Sequence, residues 1–124
     1  MTRAVIITHG RLGAALMEVV EKTLGPQSDV EIITNENLAL DHITREVEAR
    51  LTDEATLLFV DSCGGSPFVA CKILCARHAN VAILSGVNLP MLFSFFTKRH
   101  QHPFAELRQI VESDGHRGIQ LAFV

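Results

Sequence analysis

The sequence predicts an α/β fold: a three-layer sandwich built on a mainly parallel sheet. Three observations predict it. Short apolar runs alternate with segments of helical periodicity through four successive units. The runs at Ala4–Thr8 and Leu57–Val60 are apolar without alternation, as strands covered on both faces are. Gly25-Pro26 and Ser66-Pro67 stand where helices should stop and start.

Each element has its own justification. Ala4 to Thr8 is rich in β-branched residues and ends at His9-Gly10, which makes it a buried strand. Leu12 to Leu24 follows as a helix, with Leu12, Leu16, Val19, Val20 and Leu24 at helical spacing. Val30 to Thr34 is a second strand. Asp41 to Leu51 is an amphipathic helix with Ile43, Val47 and Leu51 on one face. Leu57 to Val60 is the third strand, Pro67 to Arg77 the third helix and Asn80 to Ser85 the fourth strand. Leu89 to Thr97 and Pro103 to Ser113 read as two more helices, and Ile119 to Val124 as a final strand. No linker, low-complexity tract or repeat interrupts the series, so residues 1–124 are expected to form a single domain.

Composition narrows the class. The chain has 124 residues, within the ~100–200 usual for one domain. Hydrophobic residues make up 48% and charged ones 20%, a core-rich balance and not a disordered one. Mean hydropathy is +0.25. A net charge of −3 and the absence of Trp and Tyr argue against nucleic acid as a partner. Three cysteines cannot all pair, and reduced thiols in a cytoplasmic protein are expected. No signal peptide is recognisable at the start, and no stretch reaches the ~18 apolar residues of a membrane span.

In sheets of this kind ligands sit beyond the carboxyl ends of the strands. The loops at Thr8-His9-Gly10, Asp61 to Ser66 and Ser85 to Pro90 should therefore gather at one edge. His9 closes the first strand and Asp61 the third, and adjacent strands lie only ~4.8 Å apart. A carboxylate beside a histidine accepts one ring N–H, fixes the tautomer and favours positive charge on the ring. The other ring nitrogen is then a free nucleophile.

The segment Asp61-Ser62-Cys63-Gly64-Gly65-Ser66-Pro67-Phe68 is the most informative in the chain. Ser66-Pro67 reads as an N-cap followed by the favoured first helical residue. Gly64 and Gly65 allow close backbone approach, and a helix start preceded by glycines suits a phosphoryl group. A plain strand-to-helix turn would have the same sequence. No lysine follows the glycines, so this is not a Walker loop, and Gly-x-Ser-x-Gly is absent. A nucleophilic Cys63 of the phosphatase kind would need an arginine soon after it, and Gly64 to Ala70 contain none. Cys71, Cys75 and His78 share a helix but lack further metal ligands; core packing suits the cysteines better. Pro90 marks another helix start, where Asn88 fits a cap better than a ligand contact.

Three segments together resemble a known family. Thr8-His9-Gly10, Val60-Asp61-Ser62-Cys63-Gly64-Gly65-Ser66-Pro67-Phe68 and Gly86-Val87-Asn88-Leu89-Pro90-Met91-Leu92 look like the enzyme IIA domain of the mannose family, from the bacterial phosphoenolpyruvate-dependent sugar phosphotransferase system. The similarity covers nearly the whole chain. It implies four parallel strands in the order 2134, plus a C-terminal antiparallel edge strand exchanged between subunits of a homodimer. It implies that His9 accepts a phosphoryl group on Nε2 from the phosphocarrier HPr and passes it to a histidine of a IIB protein. Asp61 would orient and stabilise His9, and Gly64, Gly65 and Ser66 would form the phosphoryl-binding turn. Thr8, Gly10, Cys63, Pro67, Phe68, Asn88 and Pro90 would line the site. No cofactor or metal is implied. The membrane IIC and IID components, not this chain, would select the sugar. The chain departs from the family at Cys63, often aromatic there, and at Val69, often Asn, both on the partner-facing lip. A related branch serves as phosphoryl carrier for dihydroxyacetone kinase, usually with Ser-His-Ser where this chain has Thr8-His9-Gly10.

Two other readings stay open on sequence. One is a regulatory phosphoprotein that serves no transporter. The other is a small-ligand or metal-binding α/β module in which His9, Asp61 and Cys63 bind without reacting.

Overall fold

A computed structural model of the chain describes residues 1–123. The elements follow the order β1 (Arg3–His9), α1 (Leu12–Leu24), β2 (Val30–Asn35), α2 (Leu40–Glu48), β3 (Thr56–Val60), α3 (Ser66–Arg77), β4 (Val81–Leu84), α4 (Leu89–Lys98) and α5 (Phe104–Arg117). The four strands form one sheet in the order β2-β1-β3-β4, parallel at every pairing. This is the 2134 order the family resemblance implies.

Side-chain alternation along the strands builds the three layers. In β1, Ala4 and Ile6 point to one face, where they meet Met17 and Val20 of α1 and Leu92 and Phe95 of α4. Val5 and Ile7 point to the other face, against Ile43 and Val47 of α2 and Ala70 and Leu74 of α3. In β3, Leu57 and Phe59 join the first face and Leu58 and Val60 the second. Both central strands therefore need apolar residues on both faces through Ala4–Ile7 and Leu57–Val60, which is why these stretches show no alternation. Phe59 is fully buried and meets Phe95 edge-on, with ring centroids 5.3 Å apart.

Three helix boundaries need correction. First, the N-cap of α3 is Gly65, not Ser66, and no side chain caps it. The Gly65 carbonyl accepts from Phe68 N at 3.1 Å, which makes it the first acceptor of the helix. Secondly, α5 runs four residues past Ser113, to Arg117. It continues through Gly115 because that residue is pressed on Met91, where a β-carbon would lie 2.9 Å from Met91 Cε. Thirdly, the helix expected over Asp41–Leu51 is shorter, with Ala49 as its C-cap. Residues 119–123 form no strand within the single chain, in which an edge strand exchanged between subunits has no second copy to pair with. Val124, the end of that expected strand, lies outside the described residues.

Candidate functional site

The register of the central strands assembles the site. Ile7 lies opposite Val60 across the β1–β3 pairing, so Asp61, the first residue past β3, comes out beside the end of β1, where Thr8 and His9 are still paired to β2. His9 then stands one step further out. Its backbone N–H donates to Asp61 Oδ2 at 2.9 Å, and its ring Nδ1 lies 2.8 Å from the same oxygen. One carboxylate oxygen thus fixes both the main chain and the ring of His9.

The electrostatics of this pair have a definite direction. Burial alone would push the Asp61 carboxyl up. The His9 backbone N–H, the ring hydrogen bond and the ring's charge outweigh it and hold Asp61 below its ordinary value of 3.8. Asp61 is therefore a carboxylate at neutral pH and can only accept, so Nδ1 carries the shared proton. Whenever the ring is neutral, Nε2 is therefore its unprotonated nitrogen. The His9 side chain is 57% exposed while Asp61 is only 14% exposed. The ring is held from behind and open in front.

The glycine turn before α3 faces that ring. A β-carbon on Gly65 would lie 3.3 Å from His9 Cε1 and 3.9 Å from Nε2, so the ring edge bearing Nε2 rests against bare backbone. Pro67 has no N–H, and the N–H groups of Phe68 and Val69 turn back to the Gly65 carbonyl. Gly64 N donates to Ser62 Oγ at 3.3 Å. The backbone donors left at this helix end, among the described residues, are Gly65 and Ser66. Since Ser66 is not the cap, its hydroxyl remains exposed and uncommitted as well.

The other expected site residues fall into two groups. Thr8 is fully buried and works from beneath: its Oγ1 accepts the Gly13 N–H at 2.8 Å and seats α1 on the sheet. Gly10 turns the chain out of β1 with φ +54°, a conformation that favours glycine. Cys63 and Gly64 are exposed in the loop, Pro67 is buried under it, and Phe68 is half-buried with Lys72 Nζ 5.7 Å from its ring centroid. Asn88 and Pro90 serve the α4–α5 junction. Asn88 Oδ1 accepts from Met91 N at 2.9 Å, capping α4, and its Nδ2 donates to the Gly115 carbonyl at 3.3 Å. The loop that carries them reaches the same edge through Val87 N, which donates to the Val60 carbonyl at 3.0 Å.

One neighbour of His9 escaped the sequence reading. Asn35, the last residue of β2, lies directly opposite His9 in the β1–β2 register and is buried, with Oδ1 accepting from Leu38 N at 3.3 Å. The clue was available, since the second strand also ends at this edge. The cysteines behave as expected of packing residues. Cys71 is buried in the core beneath α3, and burial pushes its thiol up to about 12. His78 is taken by Glu48, with Nε2 3.1 Å from Oε2.

A comparison with known families agrees with this geometry. Residues 3–112 match the family model of the mannose-type EIIA proteins, described as the phosphotransferase system (PTS) fructose IIA component. The chain belongs to the mannose-type EIIA family of the phosphotransferase system. Two relatives are 31% identical to it over the aligned residues. They are the PTS system mannose-specific EIIAB component of Escherichia coli K12, aligned over 97% of this chain, and the PTS system sorbose-specific EIIA component of Klebsiella pneumoniae, aligned over 81% of this chain and 76% of that one. The chain spans only 39% of the length of the mannose-specific EIIAB relative. Among solved structures, phosphotransferase system component EIIA from Streptococcus agalactiae superposes with a TM-score of 0.90 at 24% identity, covering 97% of this chain and 96% of that one. That likeness is one of fold.

Proposed function

We propose that His9 is the phosphoryl acceptor and that the chain carries a phosphoryl group from phospho-HPr to a IIB protein. One observation carries this reading: Asp61 Oδ2 holds both the backbone and Nδ1 of His9, which leaves Nε2 as the free nucleophile against the Gly65 backbone. Family membership supplies the donor and acceptor classes, and the mannose-specific and sorbose-specific relatives support a role in sugar uptake.

The chemistry follows from the geometry. Nε2 attacks the phosphorus of the phosphohistidine donor. The new Nε2–P bond forms as the donor's N–P bond breaks, and the electron pair of that bond returns to the donor imidazole. Positive charge develops on the His9 ring, and the Asp61 carboxylate stabilises it through Nδ1–H. The Gly65 and Ser66 N–H groups and the Ser66 hydroxyl lie where the transferring oxygens gather charge. Passage to IIB is the same step in reverse, with an imidazole of IIB as the attacking group. The exchange runs between two phosphohistidines of similar energy, so the site has only to position the groups and stabilise charge.

We also infer a homodimer in the cytoplasm, with residues 1–124 as one IIA domain. β4 is an edge strand, and a cavity of about 470 Å³ runs along it past Ile83, Leu84, Met91 and Ile119. Ile119, Leu121 and Phe123 alternate along the C-terminal segment and are each at least 79% exposed. An apolar, alternating segment beside an open edge suits pairing with a second copy. No helix of the described residues is long and apolar enough to cross a membrane, which fits a component that only meets the membrane IIC and IID proteins.

The test is phosphorylation in the presence of phosphoenolpyruvate, enzyme I and HPr. The wild-type chain is expected to take up an acid-labile phosphate, and His9→Ala none. Labelled wild-type chain that fails to discharge to any mannose-type IIB protein would remove the transfer half of the reading and leave the regulatory one.

A further inference from the structure

The pole opposite His9 carries a second arrangement of groups suited to an anion. A cavity of about 590 Å³ opens at the amino ends of the strands, beside Thr2 and Ala55, the residues before β1 and β3. Arg99, His100, His102 and Phe104 line its other side. Arg99 is only 3% exposed, an unusual burial for a charged side chain. One of its nitrogens, Nη2, donates to the Ser28 carbonyl at 2.8 Å. The other two, Nε and Nη1, are buried with no hydrogen-bond partner. The guanidinium stacks against Phe95 and Phe96, 5.5 and 5.0 Å from their ring centroids, and these faces offset only part of the desolvation.

Other features of this pole point the same way. The cavity reaches the N-terminus of α5, a helix of 14 residues. There the Pro103 carbonyl accepts from Glu106 N and Leu107 N, which leaves the Phe104 and Ala105 N–H groups as donors. His100 is exposed, and the His102 side chain is one-third exposed. The acids nearby are Asp29, whose charge acts on Arg99, and Glu54 and Glu106 at the rim; Glu106 Oε2 lies 3.7 Å from His102 Nδ1. Both rim acids are exposed, so solvent screens them, whereas the Arg99 charge is not screened.

We propose that this cavity binds a phosphate-type oxyanion, held by the first-turn N–H groups of α5 and by His100 and His102, with Arg99 as the buried counter-charge. The proposal does not depend on the role of His9. Its ligand would be a free anion at the opposite end of the sheet from the carried phosphoryl group.

The test is amide chemical-shift mapping of the full chain with inorganic phosphate, against chloride at equal ionic strength. The cross-peaks of His100, His102 and Phe104 are expected to move and saturate by about 20 mM, the range of a millimolar dissociation constant. Phosphate at the His9 site would move Gly64 to Ser66 instead, so the two sites are read separately. A double variant, His100→Gln with His102→Gln, touches no core residue and should weaken binding about tenfold or more, the value of one lost charge-assisted hydrogen bond. Arg99→Lys, which keeps the charge but not the fork of donors, should weaken it as well. Still peaks at residues 100–104, or movement that both variants leave unchanged, would overturn the proposal.

Discussion

Asp61 Oδ2 is shared by two groups of one residue, the backbone N–H of His9 at 2.9 Å and its ring Nδ1 at 2.8 Å. The arrangement couples the end of β1 to the end of β3 and sets the orientation of the imidazole in the same contact. It also predicts how substitutions divide between folding and transfer.

Asp61→Asn keeps the shape of the carboxylate but offers Nδ1 either an oxygen or an NH₂ group. When the amide N–H faces the ring, Nδ1 becomes the acceptor and the proton moves to Nε2, which loses its nucleophilic lone pair. The rate of phosphoryl uptake should fall on the order of 10²-fold or more, by analogy with tautomer errors in other histidine sites. Single-turnover labelling checks this, with circular dichroism to show that the fold is retained.

Gly65→Ala tests the close approach. Gly65 has φ −105°, which alanine adopts freely, so stability should change little. The added methyl would lie 3.3 Å from His9 Cε1 and push the ring outward by a few tenths of an ångström. Phosphoryl uptake should slow by about tenfold, since small misplacements of reacting groups are costly. A rate equal to wild type would show that the ring does not react in the position described.

Cys63→Ser should leave labelling unchanged. Cys63 is exposed in the loop after β3, and the proposed step passes through His9 alone. Loss of label with retained fold would instead favour a thiol intermediate.

Acid should destabilise the fold in a defined window. Asp61 is held below its ordinary 3.8 by His9, against the effect of burial. Asp114 is held well below the carboxylate range by hydrogen bonds from Lys98, Ser94 and Arg117. A depressed folded-state value contributes stability above the unfolded value and loses it as pH falls through the folded one. Denaturant midpoints should therefore be flat down to about pH 4, near the ordinary carboxylate values, and decline below it. Asp114→Asn should shallow that decline.

The α4–α5 junction should respond to single atoms. Gly118 has no room for a β-carbon, which would lie 2.4 Å from Pro90 Cγ. Gly118→Ala should cost about 1–3 kcal/mol through overpacking. Asn88→Ala, which removes the cap at Met91 N, should cost about 1 kcal/mol. Urea unfolding measures both, and neither change should abolish labelling of His9.

Much of this was legible from the residues. β1 and β3 announced themselves because strands packed on both faces carry unbroken apolar runs, here Ala4–Ile7 and Leu57–Val60. The pairing of His9 with Asp61 followed from two strand ends in one parallel sheet. What escaped the reading depended on contacts between distant elements. Ser66 looked like a cap because serine before proline often is one, but the chain enters α3 one residue earlier and leaves that hydroxyl free. The last helix was expected to stop at Ser113, yet it runs on to Arg117 through Gly115, a contact point with Met91. Asn35 was hidden because its place beside His9 is set by the β1–β2 register, not by any motif.

The central claim rests on one nitrogen of one histidine. The most direct measurement is a ³¹P and ¹⁵N NMR spectrum of the chain after incubation with phosphoenolpyruvate, enzyme I and HPr, beside the same experiment on His9→Ala. The account predicts one phosphorus bonded to Nε2 of His9 in the wild type and no phosphorus on the variant. Phosphate on Nδ1, or on the His9→Ala chain at all, would contradict it.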